Sequence, residues 1–112
     1  MSIEQTLSTL SDRIRSRSDA MMTEEAVKTA VVLPFLQGLG YDVFNPDEVI
    51  PEFTADTVGK KGEKVDYAIK IDGQIRILIE CKPITTDLAT THLSQLYRYF
   101  SVTQAKFAIL TN

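Results

Sequence analysis

The segment that decides the fold is Ile75-Arg76-Ile77-Leu78-Ile79-Glu80-Cys81-Lys82. Its centre, residues 77–79, is a continuous apolar run, which is typical of a strand buried on both faces of a sheet. Glu80 and Lys82 follow two residues apart, so we expect both side chains to lie on one side of the sheet. A carboxylate and an ammonium are costly at the end of a buried strand unless they pair or bind an ion. Glu80 and Lys82 are therefore candidates for a functional site.

Composition sets broad limits on the class of protein. The 112 residues, 44% apolar and 24% charged, predict one small globular domain. No apolar run approaches the ~20 residues of a membrane span, and the N-terminus lacks the pattern of a secretory signal. The single cysteine, Cys81, fits the reducing cytoplasm, where we expect the protein to reside. Because the net charge is −3, any contact with a polyanion must be local.

The first part of the chain is predicted to form two helices. Apolar residues at helical spacing predict a helix over residues 3–18, and Ser2 with Gln5 resembles a capping box at its start. A second helix begins after Thr23, which is a good capping residue. A proline deep inside this helix predicts a kink near residues 30–34.

Four strands and a third helix follow. Pro51 places the first strand at an edge or a bulge, and Asp72-Gly73 is a strong hairpin signal between the second and third strands. The order is α-α-β-β-β-α-β, and a right-handed crossover makes the last two strands parallel. The predicted class is α/β of the α+β kind, with a mixed sheet and helices on its faces. The predicted ranges are strands over 48–53, 65–71, 75–82 and 106–111, a mobile loop over 54–64 and a helix over 87–102.

Asp66, on the second strand, is a possible partner for Glu80, and the register of the hairpin decides whether they meet. A plain two-residue loop at Asp72-Gly73 would turn Asp66 away from Glu80. A three-residue connection, or one bulge, would place both on the same face. The sequence favours neither arrangement outright. A site that uses both carboxylates requires that Asp66 and Glu80 lie on the same face of the sheet. We therefore predict that the connection is not a plain two-residue turn.

These three residue types together favour hydrolytic chemistry. If Asp66 and Glu80 converge, their repulsion must be relieved by a cation, and hard oxygen ligands select Mg²⁺ or Mn²⁺. Lys82, two residues after the second acid, could polarise or deprotonate the attacking water. Hydrolysis of a phosphodiester requires charge neutralisation, a positioned water and a Lewis acid, and this combination could supply all three.

Asp66 followed by Glu80-x-Lys82 across a hairpin resembles the PD-(D/E)xK nuclease superfamily. Gln95 and Tyr99 match the Gln-x-x-x-Tyr motif that some branches carry on the helix after the third strand. The stretch from Thr23 through Lys82 is similar to the N-terminal nuclease domain of type I restriction enzyme motor subunits and their stand-alone relatives. The resemblance implies a restriction-endonuclease-like core, α-β-β-β-α-β, around a central four-stranded mixed sheet, plus an extra N-terminal helix.

The resemblance also implies a function and a set of site residues. It implies a Mg²⁺-dependent (or Mn²⁺-dependent) deoxyribonuclease, the endonuclease domain of a type I restriction-like or phage-defence system. DNA is the implied partner, with other restriction-modification subunits or a fused motor domain as further ones. The implied catalytic residues are Asp66, Glu80, Lys82, Glu25, Gln95 and Tyr99, and the metal ligands are Asp66, Glu80 and the backbone carbonyl of Cys81.

The resemblance leaves the helix acid open between two neighbouring residues and implies two further features. Glu24 is nearly as good a candidate as Glu25 for the acid that relatives contribute from the helix before the sheet. Relatives usually continue beyond the last core strand, so we expect residues 1–112 to be a single nuclease-like domain, truncated or minimal, from a longer protein. Beside an acidic metal site, three lysines of the loop would be phosphate contacts: Lys60, Lys61 and Lys64.

A second hypothesis is a catalytically silent nuclease-fold module that binds nucleic acid or a partner subunit. The acidic net charge favours it, because the residues that grip DNA could lie elsewhere. The intact set of Asp66, Glu80 and Lys82 argues against it, since a decayed site has no reason to keep all three residue types.

Overall fold

The computed structural model describes residues 2–54 and 64–112, and it confirms the predicted order of elements. The last helix begins at Leu93, later than the predicted residue 87, after a short 3₁₀ turn over Thr90–His92. Most of the predicted loop, residues 55–63, lies outside the described residues. The helices are α1 (Ile3–Arg17), α2 (Glu24–Val27), α3 (Leu33–Gly38) and α4 (Leu93–Val102), and the strands are β1 (Val49–Phe53), β2 (Val65–Ile71), β3 (Gln74–Cys81) and β4 (Phe107–Thr111).

The chain forms two compact units. The first unit comprises Met1–Val43, Cys81–Asp87 and Asn112, and it contains α1, α2 and α3. The second unit comprises Phe44–Glu80 and Leu88–Thr111, and it contains α4 and nearly all of the sheet. Within residues 2–54 and 64–112, no helix has the length and apolar character needed to cross a membrane.

Both helix starts predicted in the first unit are confirmed. The Ser2 hydroxyl accepts a hydrogen bond from the Gln5 backbone N–H at 3.1 Å, and the Gln5 side chain accepts one from the Ser2 N–H at 2.9 Å. This reciprocal pair satisfies two donors that the first turn of a helix leaves without partners. The Thr23 hydroxyl accepts from the Ala26 N–H at 3.1 Å and caps α2 in the same way.

The helical stretch before Pro34 is irregular, where a kink was predicted. A π-helical segment, Lys28–Val32, joins α2 to α3. Pro34 has no N–H, so it cannot donate to the carbonyl of Ala30, one turn earlier. The guanidinium of Arg13, on α1, donates to that carbonyl at 2.5 Å instead. Arg13 therefore links α1 to the proline-interrupted helix through the Ala30 carbonyl, to which Pro34 cannot donate.

The sheet has the strand order β1-β2-β3-β4, with β1 at one edge and β4 at the other. β1 pairs antiparallel with β2, and β2 pairs antiparallel with β3. The Lys106 N–H donates to the Arg76 carbonyl at 2.7 Å, so β4 begins at the same end of the sheet as β3. The predicted mixed four-stranded sheet is confirmed, and so is the edge position expected from Pro51 in β1.

The hairpin between β2 and β3 corrects one prediction and confirms its alternative. Ile71 pairs directly with Gln74, so the connection is a plain two-residue turn, contrary to the prediction. Asp72 and Gly73 have φ values of 53° and 78°, which are the two positive values of a type I′ turn. The register then shifts between Ile69 and Lys70, because β3 carries one extra residue there. This bulge is the second arrangement that the sequence allowed.

The core of the second unit lies between the sheet and α4. Its central side chains belong to β2, β3, α4 and the segment between α4 and β4, and partly buried apolar groups such as Ile50, Phe53 and Leu110 pack around them. Burial of each larger apolar side chain contributes about 1.5–3 kcal/mol, so this cluster stabilises the packing of β2 and β3 against α4. The buried members are Val65, Ala68, Leu78, Leu96, Tyr99 and Ala105.

Candidate active site

The bulge in β3 places Asp66 directly opposite Glu80. Tyr67 pairs with Ile79, so the next residues along the antiparallel ladder are Asp66 on β2 and Glu80 on β3. One carboxylate oxygen of Asp66 lies within 4.8 Å of one of Glu80. Paired residues point to the same face of a sheet, so the two acids predicted to meet do meet.

The environment of this acid pair fits a hard divalent cation. Glu80 is only 5% exposed, and Asp66 is partly buried. Two ionised carboxylates so close together in a poorly hydrated place repel each other strongly. A cation with oxygen ligands relieves that repulsion, and Mg²⁺ or Mn²⁺ prefers such ligands. These donors are therefore of the right kind and close enough together to hold such an ion.

The remaining residues of the deciding segment lie at the end of β3. Cys81 is the last residue of the strand, and its side chain is fully buried. Its thiol is therefore part of the packed interior. Lys82 follows directly after the strand and is partly buried. An acid, Glu80, a small buried residue, Cys81, and a lysine, Lys82, thus follow one another at the end of β3.

Gln95 holds the beginning of β2. Its side-chain amide N–H donates to the backbone carbonyl of Lys64 at 2.5 Å. Lys64 precedes Asp66 by two residues, and its ammonium lies 3.6 Å from a carboxylate oxygen of Glu52 on the neighbouring strand. Lys64 is thus held through its backbone by α4 and through its side chain by β1. The sequence contained no signal for the contact between Lys64 and Glu52.

Tyr99, one helical turn after Gln95, lies in the core. It is 1% exposed, and its ring meets that of Phe53 edge-on with 6.4 Å between the centroids. Tyr99 also belongs to the same packed cluster as Val65, the residue directly before Asp66. Gln95 and Tyr99 are therefore placed to support the start of β2 from α4.

The two helix acids, Glu24 and Glu25, differ in their surroundings. Glu25 is 79% exposed at its side chain and makes an ion pair with Lys28 at 2.7 Å. Glu24 is partly buried. The side chain of Lys28 is only 8% exposed, which is rare for lysine. Lys28 was not predicted from the sequence, although its spacing of three residues from Glu25 is that of a helical ion pair.

The structure describes one of the three lysines predicted to contact phosphate. Lys60 and Lys61 lie outside the described residues, together with most of the loop that was predicted to carry them. Lys64 is described, and its side chain is 50% exposed.

The fold and the acid pair define a small α+β domain with a carboxylate site suited to a divalent cation. The model of the family described as the N terminus of type I restriction enzyme R proteins matches residues 23–112, and the chain belongs to this family. The predicted resemblance to that domain is thereby confirmed, and membership supports a role in a restriction system. No curated protein and no solved structure shows a significant match to the chain.

Proposed function

We propose that this domain hydrolyses DNA phosphodiester bonds with the help of a divalent cation, as the endonuclease domain of a type I restriction-like or phage-defence system. The observation that carries the proposal is the pairing of Asp66 with Glu80, with carboxylate oxygens within 4.8 Å, in a chain that belongs to a restriction enzyme family. The order of acid, acid and lysine supports the same reading, since it resembles that of PD-(D/E)xK nucleases.

In this proposal the residues divide the work between them. Asp66 and Glu80 would hold Mg²⁺ or Mn²⁺, with the Cys81 carbonyl as a further ligand. The bound cation would supply Lewis-acid stabilisation of the negative charge that develops on the phosphate. Lys82 follows Glu80 by two residues and would orient the attacking water and draw its proton away. Lys82 is not a metal ligand in this scheme, so its loss and the loss of Asp66 should have different consequences.

We propose Glu24, not Glu25, as the acid contributed by the helix before the sheet. Glu25 is largely exposed and engaged with Lys28, whereas Glu24 is partly buried. A partly buried carboxylate on this helix suits the role that the resemblance assigns to a helix acid better than an exposed one engaged in an ion pair. Glu24→Gln should therefore reduce cleavage strongly, and Glu25→Gln should leave it nearly unchanged.

Gln95 and Tyr99 are proposed as positioning residues. Gln95 donates to the Lys64 carbonyl, and Tyr99 packs in the cluster that includes Val65, so both act on the residues that lead into Asp66. The burial of Tyr99 favours support over contact with a substrate. Lys64, with Lys60 and Lys61, is proposed to contact DNA phosphates. We propose that the domain binds DNA in the cytoplasm. Other restriction subunits or a motor domain are proposed as further partners.

Cleavage of supercoiled plasmid tests this proposal. The purified 112-residue chain is incubated with Mg²⁺ or Mn²⁺, with a chelator as the blank, and nicked and linear products are measured. We expect cation-dependent cleavage that Lys82→Ala and Asp66→Asn abolish and that Glu25→Gln preserves. If plasmid is bound but never cut with either cation, the domain is the silent binding module instead. If cleavage survives in Lys82→Ala, it belongs to a contaminant or to another site.

A further inference from the structure

The apolar residues of β3 do not by themselves determine the register of the strand against β2. Residues 77–79 are all apolar and follow one another without a polar residue. Shifting β3 by one position would exchange its two faces, yet each face would still receive apolar side chains. Hydrophobic burial alone therefore discriminates weakly between the observed register and a shifted one.

The shifted register would separate the two acids. If the ladder continued from the turn without a bulge, Ile69 would pair with Arg76, and Asp66 would pair with Ile79. In the observed register Ile69 pairs with Ile77, and Asp66 faces Glu80. One extra residue in β3 therefore decides whether the carboxylates share a face.

That extra residue is Arg76, and it is held in place by three contacts. Its backbone carbonyl accepts from the Lys106 N–H at 2.7 Å. Its guanidinium donates to the Gln104 carbonyl at 3.1 Å and to the side chain of Gln74. In the shifted register the same guanidinium would be placed opposite Ile69, which is only 1% exposed, and burial of an arginine there would be costly.

We propose that Arg76 is a positioning residue that sets the register of the metal site. Its charge excludes it from the ladder position beside Ile69, and its contacts with Gln104 and Lys106 hold it in the bulge. The consequence is that Glu80 faces Asp66. The effect on metal binding rests on the proposed function, whereas the effect on strand register does not.

Three variants separate register from general stability. Arg76→Val supplies a residue that fits either register, so the shifted form becomes populated. Arg76→Lys keeps the charge that excludes the shifted form. Deletion of Arg76 removes the bulge but leaves every pair from Ile69–Ile77 to Asp66–Glu80 intact. We therefore expect the deletion to bind metal better than the valine variant, an order that a merely structural role would reverse.

Mn²⁺ affinity measured by calorimetry is the first test. If about nine in ten Arg76→Val molecules adopt the shifted register, the apparent affinity falls about tenfold. The lysine variant and the deletion should stay within about threefold of the parent chain, since more than that would mean a shift of about 0.7 kcal/mol or more. Equal affinity in Arg76→Val and the parent would overturn the proposal. If the deletion does not fold, judged by its circular dichroism, the valine and lysine pair decides.

A disulfide across the two strands provides a readout without metal or activity. Asp66→Cys and Glu80→Cys are combined in a Cys81→Ser background and oxidised. Cysteines directly opposite each other have the separation that a disulfide needs. We expect efficient cross-linking with Arg76 or with lysine in its place, and poor cross-linking with valine. Equal cross-linking with arginine and valine would overturn the register role. If the cysteine pair cross-links as expected but the parent chain, with Asp66 and Glu80 intact, binds no Mn²⁺, the register role stands and the proposed function is refuted.

Discussion

Neutralising Asp66 should stabilise the metal-free protein and abolish its stabilisation by metal. Carboxylate oxygens of Asp66 and Glu80 lie within 4.8 Å of each other. At an effective dielectric constant of about 20, two unit charges at that separation repel by about 3.5 kcal/mol, and screening lowers this value. Asp66→Asn keeps the shape of the side chain and removes the repulsion. We expect the free energy of unfolding without metal to rise by about 1–3 kcal/mol, and Tm by about 4–12 °C.

Mn²⁺ should remove or reverse this difference in stability between the two proteins. At a Mn²⁺ concentration of about 100 times Kd, binding stabilises the parent chain by about 2.7 kcal/mol, whereas the asparagine variant gains little. Thermal unfolding is measured for both proteins in chelator and in Mn²⁺. Asp47→Asn removes the same charge from an exposed turn and serves as the control. An asparagine variant that is destabilised in chelator, or that gains as much from Mn²⁺ as the parent, would refute the reasoning.

Two further predictions concern support for this framework. Arg13→Ala should lower the free energy of unfolding, measured by urea denaturation, by about 1–2 kcal/mol, because the Ala30 carbonyl loses its charged donor. The control, Arg15→Ala, removes an exposed ion pair and should change the free energy of unfolding by less than about 0.5 kcal/mol. Equal effects of the two changes would contradict the assigned role of Arg13. Gln95→Ala should weaken Mn²⁺ binding several-fold, measured by calorimetry, and lower the free energy of unfolding by only about 1 kcal/mol, because the Lys64 carbonyl loses the donor that holds the start of β2. Unchanged Mn²⁺ affinity would show that this hydrogen bond does not support the site.

Local chemistry made much of the fold predictable. The capping groups of Ser2 and Thr23 act on neighbouring residues, so they could be read directly from the sequence and were confirmed. Pro51 predicted that the first strand lies at an edge or carries a bulge, because proline has no N–H to donate to a neighbouring strand, and β1 is an edge strand. The start of α4 was less predictable, since residues 87–89 are not helical and a 3₁₀ turn at Thr90–His92 precedes the helix.

The register of the candidate site was not predictable, and the reason is physical. The strong local signal at Asp72-Gly73 correctly gives a two-residue turn, and that turn alone would have separated Asp66 from Glu80. The bulge that restores the pairing depends on Arg76 and its contacts with residues near β4, which are distant in sequence. A strand register that depends on such long-range contacts produces no periodic pattern in the sequence.

The most direct test of the central claim measures metal binding and cleavage in one variant, Lys82→Ala. Lys82 is assigned to water activation and not to metal binding, so the two properties should separate. With Mn²⁺ at a concentration that calorimetry shows to be saturating, we expect the variant to bind the cation at least as tightly as the parent chain and to leave supercoiled plasmid uncut. A variant that cuts plasmid at the parental rate, or one that no longer binds Mn²⁺, would contradict the account.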